Sequence, residues 1–145
     1  MHQILVVLHS VNRFILLALL LLVIFRSLKG WLGRSPFTAA DDNSGLALFI
    51  STHTQLLMGL ILYFISPAVT FGAAAMKDPI SRYWLVEHST GMLIAIVLIT
   101  LGRVLSKKLT NEARHKRIFV YNAVALVIVI AIIGLNHRGF FTVSW

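Results

Sequence analysis

The chain has 145 residues, 58% of them hydrophobic and only 12% charged, and its mean hydropathy is +0.86; soluble domains carry roughly 45–50% apolar residues, so a soluble enzyme is excluded. The 13 Lys and Arg against 5 Asp and Glu leave a net charge of +8, but long apolar runs break the basic residues into short clusters, which argues against a nucleic-acid surface. With 0 cysteines, disulfides, thiolate nucleophiles, iron–sulfur clusters and covalent c-type haem are all excluded, and any metal must be held by His, Met, carboxylate or carbonyl groups.

A helix needs about 20 mainly apolar residues to cross roughly 30 Å of hydrocarbon, and four runs meet that length: residues 4–25, 46–65, 84–104 and 118–135. The expected fold is all-α, one integral-membrane domain of four antiparallel helices in a bundle. The first run has no basic segment before it, carries Arg13 within it and shows no small-residue cleavage site before Arg26, so it reads as a retained span rather than a signal peptide. Gly30, Gly33, Pro36 and the run from Asp41 to Ser44 punctuate the first connection, and Asp42 to Ser44 offer N-caps for the second helix. Ser66-Pro67 closes that helix, and Lys77, Asp78 and Pro79 precede the third. The third connection, residues 106–116, is polar and short, as a helical hairpin requires.

Orientation follows from the basic residues. Arg26, Lys29, Arg34, Arg103, Lys107, Lys108, Arg114, Lys116 and Arg117 flank the first and third connections, against Lys77, Arg82 and Arg138 on the opposite side. The excess predicts that the first and third connections are cytoplasmic and both termini are outside. Tyr83, Trp84, Phe140, Phe141 and Trp145 then form an outer interfacial belt.

Leu8-His9-Ser10 precedes an apolar run ending at Arg26, and Glu87-His88-Ser89 precedes one ending at Arg103; each is followed by a second helix with one more histidine, His53 or His115. Two readings stay open: a duplicated hairpin whose equivalent helices occupy diagonal corners, or chance among Leu/Ile/Val-rich text.

Polar groups inside hydrocarbon cost about 2.5–3.5 kcal/mol when ionised and need an explanation. At about 1.5 Å per residue, His9 lies roughly 7 Å and His88 roughly 6 Å below the outer boundary. Imidazoles level with each other on diagonal helices suit the two axial positions of a b-type haem. Gly91 and Ala95 follow His88 by three and seven positions and give a small-residue groove on its face for a flat macrocycle. Arg13, four after His9, is within reach of a propionate or a quinone carbonyl. Glu87 either orients an imidazole, relays protons or snorkels outward. The competing explanation for His9 and His88 is interhelical hydrogen bonding in an ordinary bundle.

On the inner side, His53 sits roughly 9 Å above the cytoplasmic boundary while His115 falls a few ångströms beyond it. That mismatch of about 12 Å is too large for one iron without strong tilt or a misplaced boundary, which leaves a second bis-histidine haem open; a fourth helix starting as early as Asn111 helps continuity but not depth. Otherwise His115, beside Lys116 and Arg117, belongs to a headgroup-facing basic cluster, and His53 with Thr52, Thr54 and Gln55 makes a quinone or proton site. His2 and His137 read as ordinary interfacial residues.

The pattern Leu8-His9-Ser10 with Arg13, His53-Thr54-Gln55 leading to Gly59-Leu60-Ile61-Leu62-Tyr63-Phe64 and Ser66-Pro67, and Glu87-His88 before Met92-Leu93-Ile94-Ala95 resembles a family of small bacterial four-helix membrane proteins labelled cytochrome b-like. It is more distantly similar to the transmembrane b-type cytochromes. The resemblance implies haem held by histidines on paired helices and electron exchange with quinol or other respiratory membrane subunits. Three functions follow as expectations: a haem-bearing electron carrier, a non-catalytic accessory subunit of a respiratory complex, and a small metal or proton translocator.

Overall fold

A computed structural model describes residues 2–67 and 69–134. His137, Arg138, Phe140, Phe141, Trp145 and the last residue of the fourth expected span lie outside the described residues. The described residues form helices α1 (His2–Leu32), α2 (Ala39–Ile65), α3 (Pro79–Ser106) and α4 (Asn111–Gly134), with a short 3-10 turn at Ala73–Met76 and no strand. All four helices are long and apolar enough to cross a membrane, which is the pattern of a multi-pass membrane protein.

The helices extend beyond the apolar runs that announce them. Helix α1 continues past Phe25 through Gly30 to Leu32, and α2 begins at Ala39, so Asp41 to Ser44 lie in the opening turns of α2 and not in the connection. The N-cap is Thr38, ahead of the Asp42 to Ser44 stretch expected to supply it. The Thr38 hydroxyl accepts from the Asp41 amide at 3.4 Å, and the Asp41 carboxylate accepts from the Thr38 amide at 2.9 Å. This is a capping box with Asp in place of Glu, and acidic residues in a first turn are favoured by the helix dipole. Composition alone made that turn look like loop.

Helix α3 starts as its sequence suggests: Asp78 caps it and Pro79 takes the first helical position. The Ser81 hydroxyl donates to the Asp78 carboxylate at 2.8 Å, which holds its pKa below the ordinary carboxylate value. Helix α4 begins at Asn111, well before the apolar boundary at Ile118, and the Asn111 Oδ1 accepts from the Phe37 amide at 3.0 Å.

Helix α1 packs on α2 and α4, and α3 packs on α4; the α2 to α3 interface is the thinnest, and α1 and α3 stand across the diagonal. Paired residues include Asn12 with Ser51, Arg26 with Asp41, Gly91 with Ile132 and Gly102 with Tyr121. Small residues set the α3 to α4 distance: a Cβ on Gly91 would overlap Ile132, and one on Gly102 would lie 2.8 Å from the Tyr121 Cβ. Each helix sends one closely packed side chain into the centre, Leu20, Leu48, Ile99 and Ala125, all between 0% and 3% exposed. This apolar plug separates two polar regions, one at the His9 end and one at the His115 end.

At the His115 end, ion pairs tie the helices. The Asp41 carboxylate receives Arg26 at 2.9 Å, and Asp42 receives Arg103 at 3.4 Å and Arg114 at 3.8 Å. Each includes at least one solvent-accessible partner, so such pairs are worth about 0–1 kcal/mol each.

Candidate functional site

Above the plug, at the His9 end, the four helices enclose a cavity of about 350 Å³. Its walls are mainly apolar, and Arg13 is the only charged residue among the described residues lining it. His9 from α1 and His88 from α3 both face it, their ring centroids 6.4 Å apart and their planes at 55°. The two helices that carry them, α1 and α3, stand across the diagonal of the bundle.

Two local features aim the rings. Residues Tyr83–Glu87 form a π turn immediately before His88, with the His88 amide donating to the Tyr83 carbonyl. A π turn holds one residue more than an α turn and so rotates everything after it, which is why such turns recur at functional positions. It also packs Trp84 and Tyr83 against His88, at centroid distances of 5.2 and 5.8 Å. The Tyr63 hydroxyl of α2 donates to the Leu85 carbonyl of this turn at 3.0 Å.

His9 is held from its backbone. Gln55 Nε2 donates to the His9 carbonyl at 2.9 Å, Asn12 Nδ2 donates to Gln55 Oε1 at 2.8 Å and to the Ser51 carbonyl at 3.0 Å, and Ser51 Oγ donates to Asn12 Oδ1 at 3.1 Å. Gly59 lines the cavity, and a Cβ there would stand 3.4 Å from His9 Nε2, so the glycine leaves that nitrogen room.

The remaining candidates separate. Ala95 lines the cavity; Gly91 does not, because Ile132 covers its face. Arg13 lines the cavity with its guanidinium 4.8 Å from the Phe14 ring centroid. Glu87 is absent from the lining and accepts from Arg82 Nε at 2.8 Å. His53 also lies outside the lining, although Thr52 and Gln55 are in it. Its Nδ1 is 2.9 Å from the Phe49 carbonyl and its ring 4.2 Å from that of Phe49.

His115 departs most from its sequence reading. It is 1% exposed, seated on Gly30 of α1 and 5.3 Å from the Phe37 ring, while its neighbour Lys116 is exposed. A headgroup-facing cluster therefore does not describe it: α4 begins early enough that position 115 falls on the inward face of a formed helix. Among the described residues, no group of three or more His, Cys, Asp or Glu is placed to hold a metal ion.

Asn12, Ser51, Gly59 and Tyr63 were not singled out for a role from the sequence. Asn12, one turn from His9 in an apolar run, carried the clearest signal, since an amide at that depth needs a partner. No family model, curated protein or solved structure matches the chain.

Proposed function

We propose that the protein is a b-type cytochrome-like electron carrier of the bacterial inner membrane, binding one haem between His9 and His88. The carrying observation is the 6.4 Å separation of the two rings across one apolar cavity. Two metal–nitrogen bonds of about 2 Å each, plus the offset of each ring centre from its nitrogen, put a bis-imidazole pair about 6 Å apart. The donor set suits the group: a porphyrin supplies four nitrogens itself, so two histidines suffice where no larger ligand cluster is assembled.

When bound, haem supplies a one-electron couple. The chain's residues do the rest. His9 and His88 would hold the group; the Gln55 contact and the π turn fix the orientation of the two histidines; Arg13 would offer a positive charge to an anionic substituent; Trp84, Leu16 and Ile99 line the cavity and would exclude water. Quinol or a neighbouring respiratory subunit is the proposed exchange partner. One haem, not two, is proposed because His53 and His115 contact different neighbours, Phe49 for the first and Phe37 with Gly30 for the second.

The proposed arrangement is an antiparallel bundle with both termini outside and the Arg103 to Lys116 connection in the cytoplasm. The pairing of Asn12 with Ser51 and Arg26 with Asp41 supports the first part, and the basic-residue asymmetry supports the second. The diagonal placement of α1 and α3 is what a duplicated hairpin would give. Membership of the cytochrome b-like family is proposed on the same residues.

A second reading, an accessory subunit of a larger membrane complex, is favoured by one observation: Asn12, Ser51 and Gln55 already form a helix-locking network. A visible absorption spectrum of protein purified from its native membrane decides between the two. Sharp low-spin bands on reduction are expected, and their absence transfers the assignment to the accessory subunit.

A further inference from the structure

The cavity has a mouth, and the exposure of its lining shows where. Of the lining residues, Leu60, Thr90 and Leu93 are the exposed ones, and they belong to α2 and α3. The lining residues from α1 and α4, among them His9, Leu16, Val129 and Ile133, are buried or partly buried. The two helices that frame the mouth are also the adjacent pair with the thinnest contact.

Two polar clasps bound this gap. Near the His9 end the Tyr63 hydroxyl reaches the Leu85 carbonyl at 3.0 Å, and near the other end Arg103 reaches Asp42 at 3.4 Å. Between the clasps the rim is mainly apolar, with Leu60 47% and Leu93 46% exposed and the Thr90 hydroxyl its one polar group among the described lining residues. Both leucines fall within the apolar runs at 46–65 and 84–104, so the gap faces hydrocarbon rather than water.

We infer that the cavity is loaded sideways, from the bilayer, through a window between α2 and α3, and that the molecule passing it is haem dissolved in the membrane. This rests on the haem reading. A flat, largely apolar body with an anionic edge matches a slot rimmed by Leu60, Leu93 and Thr90 that leads to two imidazoles and Arg13, the one charged residue among the described residues of the lining. Entry from water at the bundle end would have to pass Tyr83 and Trp84, which are 4% and 3% exposed.

The chain has 0 cysteines, so Leu60→Cys with Leu93→Cys gives a single reactive pair that a flexible bis-maleimide can bridge. Haem-free protein in liposomes is supplied with haem already dissolved in the lipid, and uptake is followed by absorbance. Bridging before loading is expected to slow uptake by an order of magnitude or more, while bridging after loading leaves the spectrum intact. Uptake by the bridged protein at the unbridged rate overturns the window.

A second measurement is independent of haem. In a Trp31→Phe, Trp145→Phe background, Trp84 fluorescence should be quenched by lipids with brominated acyl chains and not by aqueous iodide. Quenching by iodide with protection from brominated chains overturns the window even if haem binds. If the unbridged protein takes up no haem, the electron-carrier reading fails, and the two quenchers alone decide whether the cavity opens to lipid.

Discussion

The imidazole of His115 occupies the space that a Cβ on Gly30 would fill, and both of its ring nitrogens are buried without a hydrogen-bond partner among the described residues. Glycine at position 30 is thus a socket for a side chain of another helix. Gly30→Ala should expel the ring and destabilise the protein by about 1–3 kcal/mol, the usual cost of overpacking. His115→Leu should be neutral or stabilising, because it removes two unsatisfied polar atoms while filling the socket. Thermal unfolding in nanodiscs reads both; a large loss on His115→Leu would instead assign the ring a ligand.

For the cavity, His9→Ala and His88→Ala should each abolish the low-spin spectrum or convert it to high spin, since each removes one of the two donors facing the site. His53→Ala should leave it in place, because that ring turns to Phe49. A His53→Ala variant that loses all haem while the other two retain it would reverse the assignment.

Arg13→Leu is expected to retain bis-histidine ligation but lower the midpoint potential, because removing a nearby cation favours the oxidised, more positive iron. Redox titration followed by absorbance measures it. An unchanged potential would place the guanidinium outside the field of the group.

Asn12→Leu breaks hydrogen bonds to Ser51 and Gln55 at once. Interhelical polar contacts in membranes average about 0.6 kcal/mol and reach about 1.7, so a loss of about 1–2 kcal/mol is expected. Because Gln55 also reaches the His9 carbonyl, the same variant should perturb the haem spectrum, whereas Thr100→Val, at a hydroxyl bonded only along its own helix to Ile96, should not.

Reporter fusions within residues 107–116 should be cytoplasmic, and those after residue 134 outside. The nine-to-three division of Lys and Arg predicts this. Opposite labelling would exchange the two faces and move the haem to the cytoplasmic half without altering its ligands.

Much of this was legible in the sequence because hydrocarbon imposes length and polarity in one dimension. Four runs became four helices, and counting residues from each apolar boundary singled out His9 and His88, whose rings stand 6.4 Å apart. What failed was everything decided by rotation about a helix axis or by polar ends. His115 lies before the apolar run of α4, so hydropathy assigned it to the headgroups, while the helix that begins at Asn111 turns it inward. Gly91 shares a helical face with His88 by spacing, but that face is wide enough for Ile132 to take the glycine while the histidine turns to the cavity. Thr38 capped α2 through Asp41, a residue whose charge read as loop. The π turn at Tyr83–Glu87 leaves no mark in hydropathy, yet it sets the direction of His88.

The plug of Leu20, Leu48, Ile99 and Ala125 divides the protein electrically. None of the four side chains has an atom that can carry a proton, and each is almost wholly buried. A proton exchanged by a side chain at the His9 end would therefore be drawn from that end of the bundle. A translocator built on the same histidines would first have to wet that layer.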